Sequence, residues 1–215
     1  MSSQVERLLL TTGCQSGTGW ASGQICIGSH GFRLLDIQTP VSRLEPGACA
    51  EDLTVVFSGA SQAEIPWGPE SWEHLTAAVQ SVAPQSGQMA MRGHHGEVLA
   101  DAPACLGWLD RAQRMGLEVG IALSPASMLV SSMMSTLEEH LERMFDYLGA
   151  RAKVVIIEDL AEDAGGLVGK VAGQGLLPGA ILGGMIDQHV PPETPLIIHA
   201  ASPDSARRWL WPNMT

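Results

Sequence analysis

The chain has 215 residues, 45% of them hydrophobic and 16% charged, and a formal net charge of −11. That balance excludes a disordered chain and non-specific nucleic-acid binding, which needs a basic face. It leaves room for a bound anion, since backbone N–H groups hold phosphate without net positive charge. No apolar run approaches the ~20 residues of a membrane span. Met-Ser-Ser-Gln-Val-Glu-Arg at the start has no basic segment leading into a long apolar one. A cytoplasmic protein with one domain over residues 1–215 is expected, with no membrane and no nucleic-acid partner. Cys14, Cys26, Cys49 and Cys105 show no CxxC spacing and fit four reduced thiols.

In chain order, residues 8–12 form a short apolar run ended by Gly13, a first strand. Residues 13–31 are rich in Gly and Ser and are expected to be loop with a weak helix. A second strand is predicted at 32–38, stopped by Pro40, and a third, β-branched, at 53–57. Trp72, Leu75, Val79 and Val82 at helical spacing predict a helix over 71–82. A strand at 88–91 runs into Arg92-Gly-His-His-Gly-Glu97, the densest polar cluster in the chain. A helix follows at 103–115, then a buried strand at 118–123 that Ser124 and Pro125 end. A helix is predicted at 136–148, the strongest strand at 153–157, and then an acidic, Gly-rich loop holding Glu158, Asp159, Glu162 and Asp163. A helix at 178–188, a strand at 195–198 and a helix at 203–211 complete the chain.

Seven strands are counted, and from the third onward strands alternate with helices across crossovers of 20 to 35 residues, the pattern of a parallel sheet. Gly13, Gly17 and Gly19 do not make the GxGxxG spacing of a dinucleotide-binding sheet, so the expected fold is α/β, a (β/α)8 TIM-type barrel. Catalytic groups of such barrels sit at the C-terminal ends of strands. Arg92, His94 and His95 occupy one such end, with Glu97 as a partner or a helix-start residue. Ser124 and Ser127 occupy another and are placed to hydrogen-bond a substrate. Gly165 and Gly166 open a glycine-rich run, with Lys170 nearby, that fits a phosphate loop without Walker spacing.

Several segments together resemble ribulose-phosphate 3-epimerase. They are Gly116-Leu-Glu-Val-Gly-Ile-Ala-Leu-Ser-Pro-Ala-Ser127, Gly173-Gln-Gly-Leu-Leu-Pro178, the strand and helix start at 195–206, and Leu34-Leu-Asp-Ile-Gln38. The resemblance implies a TIM-type barrel that epimerises a small phosphorylated sugar by proton transfer alpha to a carbonyl, with a divalent metal (Zn, Fe or Mn). It implies Asp36 and His199 as catalytic and metal-ligating residues, with Ala200, Ala201 and Ser202 at the phosphate. The departures are specific. Two of the family's metal-binding His positions fall on Leu34 and Val56, its last Asp on His199, and its two phosphate-binding glycines on Ala200 and Ala201. Residues 209–215 leave no room for an eighth strand, so the barrel is expected to be incomplete at its C-terminal end. The open edge that results predicts a homodimer, or an N-terminal segment folded across the gap. The run 89–127 also resembles the xylose-isomerase-like sugar isomerases, whose metal ligands would fall on Arg92, Ser124 and Ser127. A non-catalytic relative that binds a ligand or a partner subunit is the alternative to an isomerase.

Overall fold

The computed structural model describes residues 9–11, 24–27, 33–44, 53–59, 68–82 and 88–213. The strands are β1 (Leu9–Thr11), β2 (Gln24–Ile27), β3 (Arg33–Pro40), β4 (Leu53–Phe57), β5 (Gln88–Arg92), β6 (Val119–Leu123), β7 (Ala152–Ile157), β8 (Asp159–Asp163), β9 (Gly166–Lys170) and β10 (Leu196–Ile198). The helices are α1 (Pro69–Val82), α2 (Ala102–Arg114), α3 (Pro125–Met128), α4 (Leu137–Leu148), α5 (Gly179–His189) and α6 (Pro203–Leu210). Eight strands form one sheet in the order β1-β10-β7-β6-β5-β4-β3-β2, and β8 pairs with β9 in a separate hairpin. Every neighbour in the large sheet is parallel except β2 and β3. Among the described residues no ladder joins β1 to β2, so the α/β barrel is incomplete, as expected from the sequence, with the open join between these two strands and β10 paired on both sides.

The seven predicted strands are present within a residue or two. Two readings are corrected. The segment 24–27, expected as loop or weak helix, is β2, whose Gln-Ile-Cys-Ile places β-branched residues at alternate positions. The acidic, Gly-rich stretch after β7 is the β8–β9 hairpin. Gly166 turns it at φ +119°, a backbone state that side chains disfavour. Asp163 Oδ1 accepts from the Gly165 N–H at 2.7 Å across the same turn.

Strand alternation sorts the sheet into two faces. Val56, Met91, Ile121, Leu123, Val155, Ile157 and Ile198 pack against the helices, with Trp108, Phe145 and Ile186 in the same core. Leu53, Val55, Ala90, Ala122, Val154, Ile156 and Ile197 form a second cluster on the opposite face. Adding two residues to the last inner position of each strand gives Phe57, Arg92, Ser124, Glu158 and His199. One periodicity thus delivers five side chains to the inner C-terminal rim.

The helices are held by local devices and close packing. Asp101 caps α2 by accepting from Ala104 N at 2.8 Å, and Gly116 closes it at φ +69°. Ser202 and Ser205 form a capping box at the start of α6. The carboxylate of buried Asp159 accepts from four backbone N–H groups, those of Leu160, Gly173, Gly175 and Leu177, at 2.7–3.1 Å. It ties the 173–177 segment to the base of the hairpin. Burial pushes the Cys105 thiol up to about 12, with a lesser push from Asp101, so it behaves as an inert core residue.

Two glycines of α5 give opposite expectations. A Cβ on Gly183 would stand 2.0 Å from the Leu210 carbonyl oxygen, whereas one on Gly184 meets nothing within 4 Å. Gly183→Ala should destabilise the protein by about 1–3 kcal/mol through forced separation of α5 and α6. Gly184→Ala should stabilise it by about 0.5–1 kcal/mol through helix propensity. Urea denaturation of the two variants against the parent checks both signs.

Candidate functional site

The sheet's inner C-terminal rim opens into a cavity of about 180 Å³. Its polar lining comes from Arg92, His94, His95, Ser127 and Glu158, and its apolar walls from Phe57, Leu129 and the hairpin residues Leu160 and Leu167. At the centre, Arg92 Nη2 donates to Glu158 Oε1, with side chains 3% and 10% exposed. Arg92 stands in register with Phe57 on one neighbouring strand and Ala122 on the other. The small Ala122 leaves the guanidinium a path across β6 to the end of β7. Phe57 lies beneath it, its ring centroid 5.2 Å from the guanidinium carbon.

The loop after β5 is tied down on three sides. His94 N donates to Leu99 O at 3.0 Å and His95 N to Ser127 O at 3.0 Å. Ser127 Oγ donates to Gly93 O at 2.6 Å. Glu97 accepts from Ser58 Oγ at 2.9 Å and Gly59 N at 2.8 Å, which joins this loop to the end of β4. Burial pushes the Glu97 carboxyl up, and its bonds to Gly59 and Ser58 pull it partly back. The two histidine rings lie 4.3 Å apart, with Phe57 edge-on to His94 at 5.9 Å.

His94 is lowered from its ordinary value of 6.5, first by burial and then by His95 and Arg92, against an opposing pull from Glu158. Its Nδ1 accepts from Gly96 N at 3.1 Å. The neutral ring therefore carries its proton on Nε2 and offers a donor. Glu158 Oε2 accepts no hydrogen bond among the described residues, and a Cβ on Gly169 would come within 2.7 Å of it. The cavity thus combines an ion pair, a free carboxylate oxygen and a neutral imidazole donor in a wall of mixed polarity.

The structure brings Arg92, His94, His95 and Ser127 to one cavity and adds Glu158, which the sequence places in an acidic run with nothing to single it out. Ser124 lies buried on β6's exit, its hydroxyl without a partner among the described residues. Gly165 and Gly166 form the hairpin turn, outside the cavity lining. Ala200 is buried, Ala201 is exposed, and the Ser202 hydroxyl caps α6. His199 follows β10, donating its N–H to Ile157 O at 2.8 Å. Asp36 stands on β3 in register with Val55.

The described donor set does not fit the divalent metal that the epimerase resemblance implies. No three His, Cys, Asp or Glu side chains gather among the described residues. A cation at Glu158 Oε2 would also stand beside the Arg92 guanidinium held on Oε1, against charge repulsion. No helix among the described residues is long and apolar enough to cross a membrane.

No family model matches the chain, and no curated protein matches it. Among solved structures it is similar to a protein of Sinorhizobium meliloti 1021, at 12% identity over 74% of this chain and 59% of that one, TM-score 0.49. It is similar to the IolI protein with a bound zinc atom, at 13% identity over 73% and 56%, TM-score 0.46. It is also similar to a xylose isomerase domain protein from Planctomyces limnophilus, at 16% identity over 74% and 55%, TM-score 0.46. None of the three is described as a ribulose-phosphate epimerase. The chain spans little more than half the length of each.

Two outcomes follow from this geometry. Arg92→Met should cost about 3–5 kcal/mol, because it leaves the Glu158 carboxylate buried and unpaired. Arg92→Met with Glu158→Leu should cost less than the two single changes added, read from a double-mutant cycle in urea. The second outcome concerns pH. The unfolded chain protonates His94 near pH 6.5 while the folded chain resists, so folding loses stability as pH falls below about 6.5. His94→Gln should flatten that part of the stability–pH curve, measured by denaturation between pH 8 and pH 5.

Proposed function

We propose that the chain acts on a small sugar by isomerase-type chemistry, moving a proton alpha to a carbonyl in the rim cavity. The observation that carries this is the convergence of Glu158 Oε2 and the neutral His94 on one small cavity. Glu158 Oε2 takes the proton as the C–H bond breaks, and the electron pair forms the C=C bond of an enediol. His94 Nε2–H hydrogen-bonds the former carbonyl oxygen, where negative charge develops. Return of the proton from Glu158 to the neighbouring carbon, with the hydroxyl proton of the carbon first deprotonated passing to the former carbonyl oxygen, completes an aldose–ketose isomerisation. Arg92 holds Glu158 in place, and the tied 93–99 loop holds His94. The xylose isomerase domain protein among the similar structures is in keeping with sugar chemistry at this coarse level. The epimerase form of the reading rests on the sequence segments alone.

The test is solvent exchange. Aldoses and ketoses of three to six carbons are incubated with the protein in D2O, and deuterium at the carbon alpha to the carbonyl is followed by NMR. Incorporation should fall by about 10²-fold or more in His94→Gln, the usual size of a lost acid–base group, with the fold retained. Binding without exchange would overturn the isomerase reading in favour of a non-catalytic, ligand-binding barrel.

A further inference from the structure

An aldose–ketose isomerisation moves two protons, one from carbon to carbon and one from oxygen to oxygen. Glu158 Oε2 carries the first. The second leaves the hydroxyl of the carbon first deprotonated and ends on the former carbonyl oxygen. Its carrier needs a lone pair to take a proton and the freedom to give it back. Most polar groups of the cavity are committed elsewhere. The Arg92 guanidinium has no lone pair to offer and donates to Glu158. Ser127 Oγ directs its hydrogen at Gly93 O, 2.6 Å away, with Ser124 O at 2.8 Å beside it. His94 uses its Nδ1 lone pair on Gly96 N and keeps Nε2–H as a donor. Surrendering that hydrogen would leave an imidazolate. Glu158 Oε2 holds the carbon's proton during this step.

His95 remains. Its side chain is exposed and lines the cavity. Its backbone is fixed, since His95 N donates to Ser127 O at 3.0 Å. Its ring nitrogens make no hydrogen bond among the described residues. The ring packs on that of His94, with centroids 4.3 Å apart and planes 31° apart. A carbonyl oxygen held by His94 Nε2–H therefore has the His95 ring as a neighbour. The hydroxyl that must lose its proton is on the adjacent carbon, so one nitrogen can serve both oxygens.

We infer that His95 is the second catalytic group of the cavity, its ring nitrogen carrying the hydroxyl proton from one sugar oxygen to the other. This rests on the isomerase reading of the site. Glu158 returns its proton to the carbon that began as the carbonyl, and the C=C electron pair forms that C–H bond. The O–H bond on the other carbon breaks, its electron pair makes the new C=O, and its proton goes to His95. The same nitrogen then protonates the former carbonyl oxygen, which carries the negative charge. His95 ends as it began, and no other reactant is consumed.

The experiment reads two rates at once on the full chain in D2O, with glyceraldehyde, xylose and glucose as probes. NMR follows deuterium at C2 of the recovered aldose and the ketose formed. A deuteron returned to the carbon it left needs no transfer between oxygens, whereas ketose formation does. His95→Gln should lower the ratio of ketose formed to deuterium taken up by about tenfold or more, toward the roughly 10²-fold of a lost acid–base group. His95→Ala, which also keeps the backbone bond to Ser127, should show the same fall. His94→Gln should slow both rates and leave their ratio near the parent's. An unchanged ratio in both His95 variants would overturn the inference, whether both rates drop together, as a structural role requires, or neither changes. So would a parent that exchanges and forms no ketose. Either result leaves proton abstraction alpha to the carbonyl standing. A parent that takes up no deuterium from any probe overturns the isomerase reading, and this inference with it.

Discussion

Two opposite charges buried side by side at the end of a parallel sheet are stable only as a pair. Arg92 and Glu158 are separated by 66 residues and by the width of β6, and each is almost fully removed from water. A lone charge in that position would carry a desolvation penalty of several kcal/mol. The neighbours are arranged to keep the pair together. Ala122 is small enough to let the guanidinium cross, Phe57 lies beneath it, and Gly169 stands clear of the second carboxylate oxygen.

Around the pair, rigid and covering parts have separate origins. The 93–99 loop is fixed by backbone bonds to Leu99 and Ser127 and by the Glu97 clasp on Ser58 and Gly59. That fixation sets the direction of His94 and keeps it partly out of water, which keeps its ring neutral. The hairpin of β8 and β9 supplies Leu160 and Leu167 as a wall and is held at its base by Asp159. A site built this way presents donors and acceptors already in place, so little reorganisation accompanies binding.

The neighbouring acids after β7 show why sequence reading stops where it does. Glu158, Asp159, Glu162 and Asp163 look alike in the chain, a solvated acidic loop with some capacity for a cation. In the fold one pairs with Arg92, one binds four backbone N–H groups, and the last two are exposed on the hairpin. Ser202 has the residue type of a phosphate ligand and serves as a helix cap. β2 escaped notice because four strand residues sit between Gly- and Ser-rich stretches, where local pattern is thin. By contrast, the cluster from Arg92 to Glu97 was legible, because it follows a strand directly and strand ends are where loops gather polar groups.

The sequence alone determined seven of the strands, the longer helices, their alternation and hence the parallel sheet, because periods of 2.0 and 3.6 residues are local properties of the chain. That Arg92, Ser124, Glu158 and His199 leave their strands on one face follows by counting in twos once the fold has placed the strand ends. Only the tertiary structure decided which of these residues meet, which charge is neutralised by which, and which oxygen remains for a ligand. Those outcomes depend on distances across strands, and no spacing along the chain encodes how far Arg92 stands from Glu158 once β6 lies between them.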